Sequence, residues 1–103
     1  MADELTLARF VQYLNDQFRV DAGGATELPL DLVEAAEVRA VQGWEAFSLV
    51  FRGPADAFLP QSSYRFRHDG LGDFDLFFTP IRQDQHGFYY EAVFNRQLRQ
   101  EQL

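Results

Sequence analysis

The two histidines of this 103-residue chain, His68 and His86, each close a strand-like segment, beside Asp69-Gly70 and Gly87 respectively. A histidine next to a carboxylate is the smallest unit of general acid–base chemistry. Nucleophilic catalysis also needs a Ser or Cys within reach of that base and a third group to orient it, and a metal needs three or four ligands at recurring spacings. The chain has no Cys, and no such set stands near either histidine. His-Asp-Gly and Gln-His-Gly are ordinary turn compositions, so both histidines read as structural or solvent-facing. Glu91 lies in a strand among aromatics and is expected to point outward and pair with an Arg. Trp44 could stack on a sugar, but a lone Trp opening a strand reads more simply as an anchor of the core rim. Arg52-Gly53-Pro54 is a turn whose Arg suits a structural ion pair or a partner contact. Gly23-Gly24 and Gly70-Leu71-Gly72 precede no helix and are turn glycines rather than phosphate cradles. The reading is of a non-enzymatic chain with no catalytic, cofactor-binding or metal-binding residues.

Composition narrows the partners. All nine basic residues are Arg, they are scattered, and acids outnumber them to a net charge of −7. A protein that neutralises phosphates concentrates positive charge on one face, so nucleic acid is not expected as a partner. No apolar run approaches the roughly 20 residues needed to cross a bilayer, and no membrane association is expected. The start Met1-Ala2-Asp3-Glu4-Leu5 is acidic where a secretory signal is basic and then apolar. A cytoplasmic location follows as the expectation, with later export by a dedicated machine left open.

The elements that would position these residues are mostly strands. Thr6 is suited to an N-cap, and Leu7, Phe10, Val11 and Leu14 keep the spacing of one helical face. Phe18–Asp21 alternates as a first strand and Leu28–Leu32 as a second, with Pro29 suggesting an edge or a strand start. Val33–Gln42 reads as a long, irregular strand with a bulge near Glu34. From Trp44 to Asn95 four more strands place aromatics at every second position, and much of the chain's 11 Phe serves that pattern. In the hairpin around Asp69-Gly70-Leu71, setting His68 opposite Gly72 brings Arg67 to Asp73 and Arg65 to Asp75 outside, and Phe66 to Phe74 and Tyr64 to Leu76 inside. A shift by one residue would set Arg against Phe, so charges and aromatics select the same register. The fold class is therefore mostly β (α+β): an antiparallel meander of about six strands forming a small barrel or roll, with a short N-terminal helix plugging one end or lying across one face. Residues 1–95 form a single domain, and 96–103 a polar tail.

The outward positions of the last strands are not uniformly polar. Phe77, Tyr89 and Val93 face away from the Phe74/Phe78/Tyr90/Phe94 row, and Val50 and Trp44 join them from the preceding strand. The ordinary layer solution lays Leu7, Phe10, Val11 and Leu14 of the helix on this patch. The alternative is a protein partner or a homo-oligomer contact, which makes these five residues a candidate interface.

The second half also resembles a family of small bacterial domains of unknown function. The resemblance rests on Phe51-Arg52-Gly53-Pro54, Leu59-Pro60-Gln61-Ser62-Ser63-Tyr64, Leu71-Gly72 with Leu76-Phe77-Phe78-Thr79-Pro80, and Tyr90-Glu91-Ala92-Val93-Phe94-Asn95. It extends to Leu5-Thr6-Leu7, Phe10 and the Phe18 strand. Gln61-Ser62-Ser63-Tyr64 departs from the Gln-Gly-Thr-Tyr that the resemblance leads one to expect. It implies no catalytic residues. It does imply an association with proteins resembling phage tail-collar or tail-fibre proteins, and so a structural, assembly or accessory role in a phage-tail-like or surface-fibre assembly. The other expectation is a small barrel that binds an apolar small molecule in its lumen.

Overall fold

The computed structural model describes residues 5–41 and 43–97. A short helix α1 (Leu7–Val11) precedes β1 (Gln17–Gly23), β2 (Thr26–Val41), β3 (Trp44–Gly53), β4 (Ser62–His68), β5 (Gly72–Asp84) and β6 (Gly87–Gln97). All pairings are antiparallel, and the strands close in a ring in the order β1-β2-β3-β6-β5-β4. The mostly β expectation holds, with a refinement of its topology. Two three-stranded meanders, β1–β3 and β4–β6, are joined by a crossover over residues 54–61, and the β3–β6 and β1–β4 ladders close the sheet. Alternation assigns each side chain to a face but carries no information on which distant strand lies alongside.

Local pairings follow the chemistry of the chain closely. The β4–β5 ladder sets His68 opposite Gly72, Arg67 opposite Asp73 and Arg65 opposite Asp75. Arg65 Nε donates to Asp75 Oδ1 at 2.6 Å, and Arg67 reaches Asp73, Asp21 and Glu27 at 3.1–3.5 Å. The expected Leu28–Leu32 strand and the irregular strand expected from Val33 run on as one, β2, with register shifts between Leu32 and Glu34, near the expected bulge, and again between Glu37 and Arg39. Pro29 pairs with Arg19, whereas the β2–β3 ladder begins only at Asp31. One flank of Pro29 thus lies beyond that ladder, a place that tolerates a residue without an N–H.

The ring is filled by side chains. Phe18, Val20, Leu30, Leu32, Phe47, Leu49, Phe51, Phe66, Phe78 and Tyr90 are all fully buried. Aromatic contacts run through it without a break, from Phe47 and Phe94 (4.6 Å between centroids) through Phe10, Phe18, Phe51 and Phe66 to Phe78 and Tyr90. The crossover closes one end. There Leu59 is buried, and its N–H donates to the Tyr90 hydroxyl at 3.0 Å. Burial pushes the Tyr90 phenol above its ordinary range.

Helix α1 closes the other end. Thr6 Oγ1 accepts from the Arg9 N–H at 3.2 Å, the expected N-cap. β5 pairs with β4 over Gly72–Phe78 but with β6 only from Thr79 to Asp84. Beyond the Thr79–Glu91 pair, Phe10 fills the space, its ring 5.9 Å from Phe74 of β5 and 5.6 Å from Phe94 of β6. The helix therefore plugs an end and does not lie over the outer face. Val11 and Leu14, expected to cover the outer patch, are 48% and 41% exposed.

Arg96 and Gln97, expected in the tail, continue β6 opposite Glu45 and Trp44. The rest of that tail, the Met1–Glu4 start and Gln42 lie outside the described residues. No helix among the described residues is long and apolar enough to cross a membrane.

Candidate functional site

Both histidines take part in turns. His68 Nδ1 accepts from the N–H groups of Gly70 and Leu71 at 3.0 and 3.1 Å, so the ring proton sits on Nε2, which lies 2.9 Å from Asp16 Oδ2. Its ring stacks on Phe18 at 4.3 Å and meets Tyr13 edge-on at 4.5 Å. The neighbouring Asp69 pairs instead with Arg19. His86 is exposed on the β5–β6 turn, where its backbone N–H donates to Asp84 Oδ1 at 2.7 Å. Glu91 points outward as expected, but its ladder neighbours are Val50 and Thr79 rather than an Arg.

The outer face divides the five candidate interface residues. Phe77, Val93 and Trp44 are 52%, 55% and 47% exposed. Tyr89 and Val50 face the same way but are buried. Arg82 lies over the Tyr89 ring, 4.1 Å from its centroid, and Val50 stands between Glu34 and Glu91 on the two ladders. Neither offers contact area to a partner. The ladder neighbours of Phe77 and Val93 are uncharged. Ser63 stands opposite Phe77, and Val93 stands opposite Ser48, which in turn faces Ala36. Phe77 and Val93 both lie beyond the Thr79–Glu91 pair, where β5 and β6 no longer pair, so the uncharged positions form two stretches, one across β4 and β5 and one across β6, β3 and β2.

One continuous row on the same sheet is polar. Register places Gln17, Asp31, Arg52, Tyr89 and Arg82 side by side across β1, β2, β3, β6 and β5. Arg52 Nη2 donates to Asp31 Oδ2 at 3.2 Å, and the Tyr89 hydroxyl donates to Asp84 Oδ2 at 3.0 Å. Its hydrogen bond to Asp31, and secondarily one to Tyr89, hold the Arg52 guanidinium above its ordinary value. The Asp84 carboxyl is held below the usual carboxylate range, first by the His86 backbone N–H and then by Tyr89. A cleft of about 340 Å³ opens over this row, lined by Gln17, Pro29, Asp31, Arg52, Gly53, Pro54 and His86.

Residues 5–94 match the family described as Domain of unknown function (DUF6916). The chain belongs to this family. No curated protein and no solved structure matches it. The family's span takes in the uncharged stretches, the polar row and the α1 plug, and it ends at Phe94, three residues short of the end of β6. Several blocks that carry the resemblance close the crossover end. Gly53 fits tightly, since a Cβ there would stand 3.3 Å from both the Leu30 and Tyr90 side chains, and Tyr64 donates its hydroxyl proton to the Pro60 carbonyl. Sequence reasoning singled out Arg52, and its expected ion pair is present. It missed Asp31 and Gln17, which reach Arg52 only through the lateral register of three strands. The signal within reach was Pro29 and Pro54, two prolines flanking a charged strand end.

Proposed function

We propose that this domain is a non-enzymatic structural or assembly module that docks onto protein through its outer face, first of all onto another copy of the chain. The exposed Phe77 and Val93, each with uncharged neighbours on its own ladder, carry this reading. Exposed apolar patches on sheets that lack a covering layer commonly mark interfaces. A copy meeting itself through these positions sets serine, alanine, valine and phenylalanine against one another, without the like-charge conflict that a chain of net charge −7 meets elsewhere. The aromatic filling of the ring weighs against the other reading, an apolar ligand in the lumen, because the rings touch from end to end. A finer reading, a place in a phage-tail-like or surface-fibre assembly, rests on the block resemblance alone.

Native mass spectrometry of the purified protein at several concentrations tests the proposal. Defined oligomers without added mass are expected. A monomer bearing a small added mass would overturn it in favour of the ligand reading.

A further inference from the structure

The polar cleft carries an inference that does not rest on the docking face. We infer that the cleft over Asp31 and Arg52 binds a neutral, hydroxyl-rich small molecule of about one sugar ring. Its volume, about 340 Å³, lies at the lower end of the range for ligand pockets. Charge decides which chemistry the cleft accepts. Asp31 and Arg52 are already paired at 3.2 Å, and each side chain remains about one-third exposed (35% and 36%). A guanidinium has five N–H donors and a carboxylate about four acceptor positions, so a single contact leaves most of both unused. Two neighbouring hydroxyls satisfy this pair together: one donates to Asp31, the other accepts from Arg52, and the ion pair stays intact. An anion would gain only from Arg52 while facing Asp31 on a chain of net charge −7. A cation would gain only from Asp31 while facing Arg52. A charge-balanced cleft therefore selects against both.

The remaining lining fits the same ligand. The Gln17 amide both donates and accepts, the His86 imidazole stands at the rim, and Pro29 and Pro54 supply stiff apolar walls for the C–H faces of a ring. The site is held in advance of binding. Arg52 is anchored by Asp31, and its ladder neighbour Tyr89 is itself fixed by Asp84 and by Arg82 over its ring. The turn bearing His86 is pressed onto the end of β3. Gly87 adopts φ 140°, and a Cβ there would run into the Gly53 carbonyl oxygen. Donors and acceptors that need no rearrangement lose less of their interaction energy on binding.

The test is a two-dimensional amide NMR titration of the full chain. Methyl glucoside, methyl galactoside and N-acetylglucosamine serve as neutral probes, with acetate, inorganic phosphate and ethylammonium as charged ones. Saturable shifts centred on Gln17, Asp31, Arg52, Gly53 and His86 are expected with at least one sugar. Asp31→Asn and Arg52→Gln should each weaken that binding by about tenfold, the loss of roughly one good hydrogen bond. The amides of Phe47 and Phe94, toward the other end of the β3–β6 ladder from Arg52 and Gly53, report whether each variant is folded. Three results would overturn the inference: no saturable response to any sugar, tighter saturation by acetate, phosphate or ethylammonium than by the sugars, or sugar binding unchanged in both folded variants.

Discussion

A neutral imidazole has one donor and one acceptor, and His68 uses both inside the fold, toward Asp16 and toward the Gly70–Leu71 turn. Removing it leaves two backbone N–H groups and a carboxylate without their partner and opens a space beside Phe18 and Tyr13. His68→Ala should lower the free energy of unfolding by about 1–3 kcal/mol, measured by urea denaturation. Asp84 offers a pH-dependent counterpart. Its carboxyl sits below the ordinary 3.8 because the folded turn donates hydrogen bonds to the charged form, the His86 N–H foremost. The stabilisation from this turn is fully present above the unfolded value and is lost as pH falls through the lower folded one. Melting temperatures followed from neutral pH into acid should therefore drop below about pH 4, and Asp84→Asn should flatten that drop.

At the scale of elements, the helix is the clearest case of packing overruling propensity. The five residues of α1 cannot hold a helix alone, and the Thr6 cap adds too little to change that. Phe10, fully buried among Phe18, Phe47, Phe74 and Phe94, is what fixes it. Phe10→Ala should cost about 3–5 kcal/mol in a urea titration, whereas Val11→Asp, on the exposed side, should stay within about 0.5 kcal/mol. The spacing of Leu7, Phe10, Val11 and Leu14 made an apolar face legible, but spacing does not say which surface the face meets. The β4–β5 register was legible because Arg65, Arg67, Asp73 and Asp75 agreed with Phe66 and Phe74 on a single pairing. No comparable pair of markers links β3 to β6 or β1 to β4, and ring closure stayed out of reach for that reason. The polar row was lost with it. Gln17, Asp31, Arg52, Tyr89 and Arg82 come from five strands, and their neighbourhood exists only once the lateral order is known.

At the scale of the whole molecule, a ring of six strands filled by aromatic rings and closed at both ends leaves recognition to the outside. The outer face carries two regions of opposite character, one uncharged around Phe77 and Val93, the other polar around Arg52. With α1 plugging an end of the ring, Phe77 and Val93 stay 52% and 55% exposed, and self-docking accounts for that exposure. Sedimentation velocity of the wild type beside Phe77→Asp/Val93→Asp, over a wide concentration range, tests this most directly. The account predicts a wild type whose sedimentation coefficient rises with concentration, and a double variant that remains an 11.9 kDa monomer with an unchanged unfolding midpoint. A wild type that sediments as the same monomer at every concentration would contradict it, as would a folded double variant that associates as the wild type does.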